Sequence, residues 1–311
     1  MVNILIIFIL IISSFASFQI YKIDAYVSHL VINNFMSIIT LTTDYGLKDH
    51  FVGALKGKII SLDPEVTIVD ISHDVDPFNI SEASYIISAA YKNFPKGTVH
   101  IIGVDIEHSP TNRHIAVAWD DHFFLTSDNG ILSILLDQLK PQKMVALSIH
   151  DRFSTEATDM DILLAGAIHL AKGGNLNVIG NEITSLKKIT ELQPILSGDK
   201  NSIKGFVVYL DRFGNAVTNI SKKMFLQAAK GRPYEVRFKN KSVKTIFTRY
   251  SDIETVDKRP LSDLSGTHLA IFNESGLLEI GIYKSNPNVA SAESLFGIRY
   301  RDVVSITFSN P

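Results

Sequence analysis

The chain contains no cysteine among its 311 residues. Disulfides, thiolate zinc sites and cysteine nucleophiles are therefore excluded, while the compartment is left open. Several nucleotide and hydrolase signatures are missing as well. There is no G-x-G-x-x-G, no P-loop and no G-x-S-x-G elbow, so a standard dinucleotide site, an NTP site and a serine hydrolase are all disfavoured. Charge of one sign is not in excess. Thirty Lys and Arg against 32 Asp and Glu give a net charge of -2, so no bulk attraction to nucleic acid or to an anionic membrane is implied. The histidines are scattered, with no close pair on a helix face. His73 with Asp70 or Asp74 is the best local cluster, and no metal site is expected.

The N-terminus also lacks something. An apolar run, Ile4 to Ile12 followed by Ser13, Ser14, Phe15, Ala16 and Ser17, has signal-peptide length, but no Lys or Arg precedes it. The run is short for a spanning helix, so no stable membrane span is expected. Met36 stands directly before the first strand pattern. Residues 1–35 are expected to be a dispensable or spuriously included extension rather than a working signal, and a cytoplasmic location follows.

What is present is a chain long enough for two domains, with 46% hydrophobic and 20% charged residues. It is organised around Ile38-Ile39-Thr40-Leu41-Thr42-Thr43-Asp44-Tyr45-Gly46. Apolar and β-branched residues run into a polar turn, and Phe51, Val52, Leu55, Ile59, Ile60 and Leu62 then recur at helical spacing. That spacing predicts strand, turn and helix. In an open α/β sheet, ligands bind at the carboxyl ends of strands. Asp44 sits at such an end and suits the two hydroxyls of a ribose. It equally suits a helix cap or a turn.

Two more strands, Val66–Ile71 and Thr98–Asp105, also end in polar groups that include an Asp. A helix from about Ser81 to Tyr91 lies between them. The pattern predicts a mostly parallel, doubly wound sheet with helices on both faces over residues 36–180. A hairpin is expected around Asp120-Asp121, and a helix from Asp161 to Lys172. Residues 181–203 are polar and irregular and read as a linker. Residues 204–311 carry short strands separated by turns and predict a small all-β barrel domain. Within it, Asp211-Arg212-Phe213-Gly214-Asn215 and Asn273-Glu274-Ser275-Gly276 read as hairpin turns that can also bind.

These segments, in order, resemble one family. Thr43-Asp44-Tyr45-Gly46, Lys56-Gly57, Asp70-Ile71-Ser72-His73, Phe94 to Val99, Asp128-Asn129-Gly130 and the two turns just named are similar to segments of the S-adenosyl-L-methionine (SAM) hydroxide adenosyltransferases. These are SAM hydrolases related to fluorinating and chlorinating enzymes. The resemblance implies water attack on the ribose 5′-carbon of SAM, giving adenosine and L-methionine. It implies SAM as substrate with no cofactor, and a homotrimer whose sites lie between subunits. Carried over by motif, Asp44 would hold the ribose, Phe78 would line the channel, and Phe213 and Asn215 would hold the adenine side. Asp211 and Ser275 would bind the methionine end.

The family's water-handling Asp corresponds to Asp105. Its Arg is matched one place late by Arg113, which could reach back across an altered loop. Its His falls at Thr158, and a second family Arg at Met160. His108 is the nearby candidate to assist. A SAM-dependent halogenase and a non-catalytic SAM or adenosine binder are the alternatives.

Overall fold

The computed structural model describes residues 37–136, 140–189 and 192–309. The expected extension at residues 1–35 lies outside them.

The first sheet has seven strands. Buried, β-branched β1 (Ile38–Thr43) sits between β2 (Thr67–Ser72) and β3 (Val99–Gly103), parallel to both, and β5 (His122–Ser127) continues the parallel run. β4 (His114–Trp119) pairs antiparallel with β5, and β6 (Lys143–Leu147) and β7 (Gly180–Glu182) close the far edge. The β4–β5 hairpin turns on Asp120 and Asp121. Both have positive φ, 51° and 61°, as a tight turn that matches strand twist requires.

Helices cover both faces. On one, α1 (Phe51–Leu62) lays Val52, Leu55 and Ile59 inward, beside α4 (Asp159–Ala171) and the short α5 (Leu176–Ile179). On the other, α2 (Ile80–Ala90) and α3 (Ile131–Leu136) bury Ala83, Ile87, Ile131 and Leu135 against Ile102, Val117 and Phe124. The sheet is therefore doubly wound, with apolar layers on both sides.

The second sheet has nine strands and curls into a nearly closed barrel. Its strands are β8 (Ile195–Leu196), β9 (Ser202–Leu210), β10 (Ala216–Ser221), β11 (Tyr234–Phe238), β12 (Lys241–Val243), β13 (Ile246–Phe247), β14 (His268–Phe272), β15 (Leu277–Ile282) and β16 (Val303–Phe308). Val207, Ile220, Val236, Ile280 and Ile306 fill it. Two helices interrupt the expected all-β pattern, α6 (Lys222–Ala229) and α7 (Ala292–Phe296). Each starts on a Ser, Ser221 or Ser291, whose hydroxyl accepts from the backbone three residues on.

Among the described residues, no helix is long and apolar enough to cross a membrane.

Candidate active site

The carboxyl edge of the first sheet gathers the polar strand ends. The Thr43–Gly46 turn is locked from the neighbouring strand. His73 lends its carbonyl to the Gly46 N–H at 2.7 Å, and its Nδ1 lies 2.7 Å from Thr43 Oγ1. Thr43 Oγ1 in turn accepts from the Tyr45 N–H. The other ring nitrogen of this buried His73 is 3.1 Å from Asp70 Oδ1, although the angle is too poor for a full hydrogen bond. Asp70 is also gripped by Lys56 at 2.5 Å. Burial works to raise the Asp70 carboxyl, but Lys56 and His73 win and hold it below the usual range. Asp44 is thus presented on a rigid turn. One carboxylate oxygen accepts from the Phe78 N–H at 2.9 Å, and the other makes no hydrogen bond among the described residues. Phe78 has a φ of 62° and is 74% exposed beside Asp44.

Asp105 lies two residues beyond the end of β3, with a φ of 52°. Its carboxylate is exposed and without a hydrogen-bond partner among the described residues, while its carbonyl accepts from Asn129 and Asn112. Arg113 does not reach back to it. The guanidinium instead donates to Asp128 from Nε and Nη2, both at 3.1 Å, and to the Ser185 carbonyl. Asp128 also accepts from the Lys187 N–H, so the pair fastens the 183–189 segment to the end of β5. Thr158 is spent on the fold: its hydroxyl accepts from the Asp161 N–H, and the Asp161 carboxylate accepts in return, a reciprocal cap on α4. Met160 is buried, and its Cε lies so near Gly103 that a Cβ there would come within 2.5 Å of it.

The second group lies in the barrel. Asp211 Oδ1 accepts from the Phe213 and Asn215 N–H groups, and Oδ2 accepts from the Asn215 side chain at 2.9 Å. Gly214 permits this turn with a φ of 72° and packs against Ser291. Asn215 is buried inside the turn, whereas Phe213 projects with 59% of its surface exposed. Ser275 is exposed and lines a cavity of about 730 Å³ between α2 and the barrel, opposite Tyr85. No hydrogen bond among the described residues joins this group to Asp44, Phe78 or Asp105.

Sequence reasoning missed two clusters. One is a polar seam in which Glu279 accepts from Tyr250 and Asn273, and Asn273 also contacts Tyr85. Burial, then the Glu279 charge, pushes Tyr85 up to about 12. A lone acid in the apolar strand Leu277–Ile282 was the available signal. The other is a histidine cluster. β4 runs antiparallel, so its first residue, His114, lies at the carboxyl edge of the parallel strands. There it meets His108, from the loop after β3, and His150, from the turn after β6. The ring centroids are 4.5 to 5.3 Å apart. Asp159 at the start of α4 places Oδ1 3.4 Å from His114 Nε2. Tyr45 lies within electrostatic reach of the same Asp159. Burial raises its hydroxyl, helped by the charges of Asp44, Asp159 and Asp161.

The SAM hydroxide adenosyltransferase N-terminal domain matches residues 39–180, and the corresponding C-terminal domain matches residues 205–305. The chain belongs to the SAM hydroxide adenosyltransferase family. A (R)-S-adenosyl-L-methionine hydrolase from Methanocaldococcus jannaschii is 27% identical over 290 residues, covering 89% of this chain and 98% of that protein. A fluorinase from Nocardia brasiliensis is 24% identical, covering 60% of this chain and 71% of its own length. The crystal structure of an uncharacterized conserved protein from Thermotoga maritima superposes with a TM-score of 0.72 at 26% identity, covering 87% of this chain and 99% of that one.

Proposed function

We propose that the chain cleaves S-adenosyl-L-methionine with water, giving adenosine and L-methionine. The observation that carries this reading is Asp44. Its turn is locked by His73, one oxygen is anchored on Phe78, and the other is open at the strand end where the family's ribose would lie. Water attacks the 5′-carbon. The oxygen–carbon bond forms as the carbon–sulfur bond breaks, and the bonding pair returns to sulfur. The leaving group is a sulfonium that becomes a neutral thioether, so it needs no proton. Catalysis then rests on in-line positioning and on keeping bulk water out. The free carboxylate of Asp105 suits the orientation of the attacking water. Arg113, tied to Asp128, holds the neighbouring loop instead of the water.

Phe213 and the Asp211–Asn215 turn supply the other wall, together with Ser275. The exposed Phe78 and Phe213 rings sit on separate domains, each beside a carboxylate. That division supports a site completed by a second copy of the chain in a closed trimer. SAM enters as substrate, with no resident cofactor. Fluorination is the second reading, supported by the fluorinase relative. The hydrolase relative favours water because it covers 89% of the chain rather than 60%. Product analysis after incubation with SAM, with and without halide, tests both. Adenosine and methionine are expected. A halogenated adenosine overturns the choice of water, and unchanged SAM overturns cleavage.

A further inference from the structure

The histidine cluster has an internal logic that fixes which nitrogen is free. The Ile106 carbonyl can only accept, and His114 Nε2 lies 2.9 Å from it. His114 therefore carries its proton on Nε2, and its Nδ1 is a lone pair. That lone pair lies 3.1 Å from His150 Nε2, which must then be the donor. A neutral His150 is left with an unprotonated Nδ1 that makes no hydrogen bond among the described residues. His114 is fully buried and Ser127 shares the same Ile106 carbonyl, so the orienting end is rigid. His150 is half-buried, so its ring is partly open to solvent. The arrangement follows the logic by which one group orients a base and a carboxylate steadies the charge.

We propose that His150 takes the proton of the attacking water, with His114 as its positioning residue and Asp159 as the countercharge. The inference rests on the SAM-cleavage reading and names the proton acceptor of that site. Thr158 spends its hydroxyl on capping α4 and is not available to the water. Asp159, one residue on, faces the cluster on one side and influences Tyr45, next to Asp44, on the other. The proton lost by water goes to His150 Nδ1 as the new carbon–oxygen bond forms, and then to solvent. Two ring nitrogens are spent on each other, which suits proton transfer and not ligation. Among the described residues no group of three such side chains suits a metal.

The groups facing His150 are His114, His108, Asp151 and Asp159. Burial lowers its pKa first, the His108 charge adds to this, and Asp159 and Asp151 oppose it. Burial likewise lowers His114. Both rings are therefore neutral near pH 7, which leaves the His150 Nδ1 lone pair free to accept a proton. The acidic limb of turnover should lie below about 6.5, the ordinary imidazole value.

The test is single-turnover adenosine formation across pH, with SAM binding measured by calorimetry. His150→Gln can still donate to His114 but cannot accept a proton. It should bind SAM within about twofold of the parent, lose about a hundredfold or more in turnover, and lose the acidic limb. Free imidazole should restore turnover to His150→Ala. His114→Asn should lower kcat and shift the limb with KM unchanged. If that buried substitution unfolds the protein, the His150 variants decide alone. Parent-like turnover and an unaltered limb in His150→Gln overturn the proposal. So does disappearance of the limb in Asp105→Asn but not in His150→Gln, which would make Asp105 the base. A parent protein that forms no adenosine overturns the cleavage reading itself, and the proton acceptor with it.

Discussion

Asp44 has one carboxylate oxygen tied down and the other open. The tied oxygen accepts from the Phe78 N–H, which joins the turn after β1 to the loop before α2, and the other oxygen has no hydrogen-bond partner among the described residues. Asp44→Asn preserves size and an acceptor for the Phe78 N–H but removes the charge. Hydrogen bonds to charged groups contribute roughly 1.5–3 kcal/mol, so SAM affinity should fall about tenfold to a hundredfold by calorimetry, with the fold unchanged. A 2′-deoxy analogue should be discriminated less well by the variant than by the parent. His73 acts one step back, through Thr43 and Gly46. His73→Ala removes the ring contact to Thr43 while keeping the carbonyl, so the turn is loosened and not lost. About 1 kcal/mol for one neutral hydrogen bond implies roughly a fivefold loss of SAM affinity, smaller than for Asp44→Asn.

At the scale of elements, the centre of the first sheet carries a second buried polar chain. Thr40 on β1 lies 2.7 Å from His100 Nδ1 on β3, and His100 Nε2 lies 3.1 Å from His122 Nδ1 on β5. Burial, then the neighbouring His122, lowers His100 to about 3, and burial also lowers His122 despite Asp120 and Asp121. The unfolded chain therefore binds protons that the folded sheet excludes. Stability is fully present above about 6.5 and is lost as pH falls from there towards 3. Urea midpoints should drop steadily between pH 7 and pH 4. His100→Gln, which keeps hydrogen-bonding groups without a titrating ring, should flatten that dependence. This chain is separate from the His114–His150 pair, so the stability profile and the turnover profile can be assigned independently.

For the whole molecule, the prediction concerns where the two halves of the site meet. Asp44 and Asn215 lie on different domains, with no hydrogen bond between their groups. If sites form between copies, Asp44→Ala and Asn215→Ala proteins are each impaired, but a mixture holds some interfaces that are intact on both sides. Statistical mixing should restore about a quarter of parental activity after subunit exchange, with a trimer mass by light scattering. A fully active monomer would put the complete site within one chain.

The sequence by itself determined the elements whose signal is local. The run from Ile38 to Gly46 and the helical spacing after it made β1, the Asp44 turn and α1 legible, because period and punctuation are carried by adjacent residues. The Asp120-Asp121 hairpin and the Asp211 turn were legible for the same reason. The short helices α6 and α7 were not, since one or two helical turns behind a Ser cap carry too little periodicity. Tertiary structure alone decided the partners. Arg113 went to Asp128 across the β4–β5 hairpin instead of to Asp105, because β4 starts beside the end of β5. His108, His114 and His150 looked scattered along the chain. An antiparallel β4, and a β6 running with the parallel strands, bring all three to one edge. Spacing in sequence holds no record of that, because strand order is set by how helices cover the two faces of the sheet.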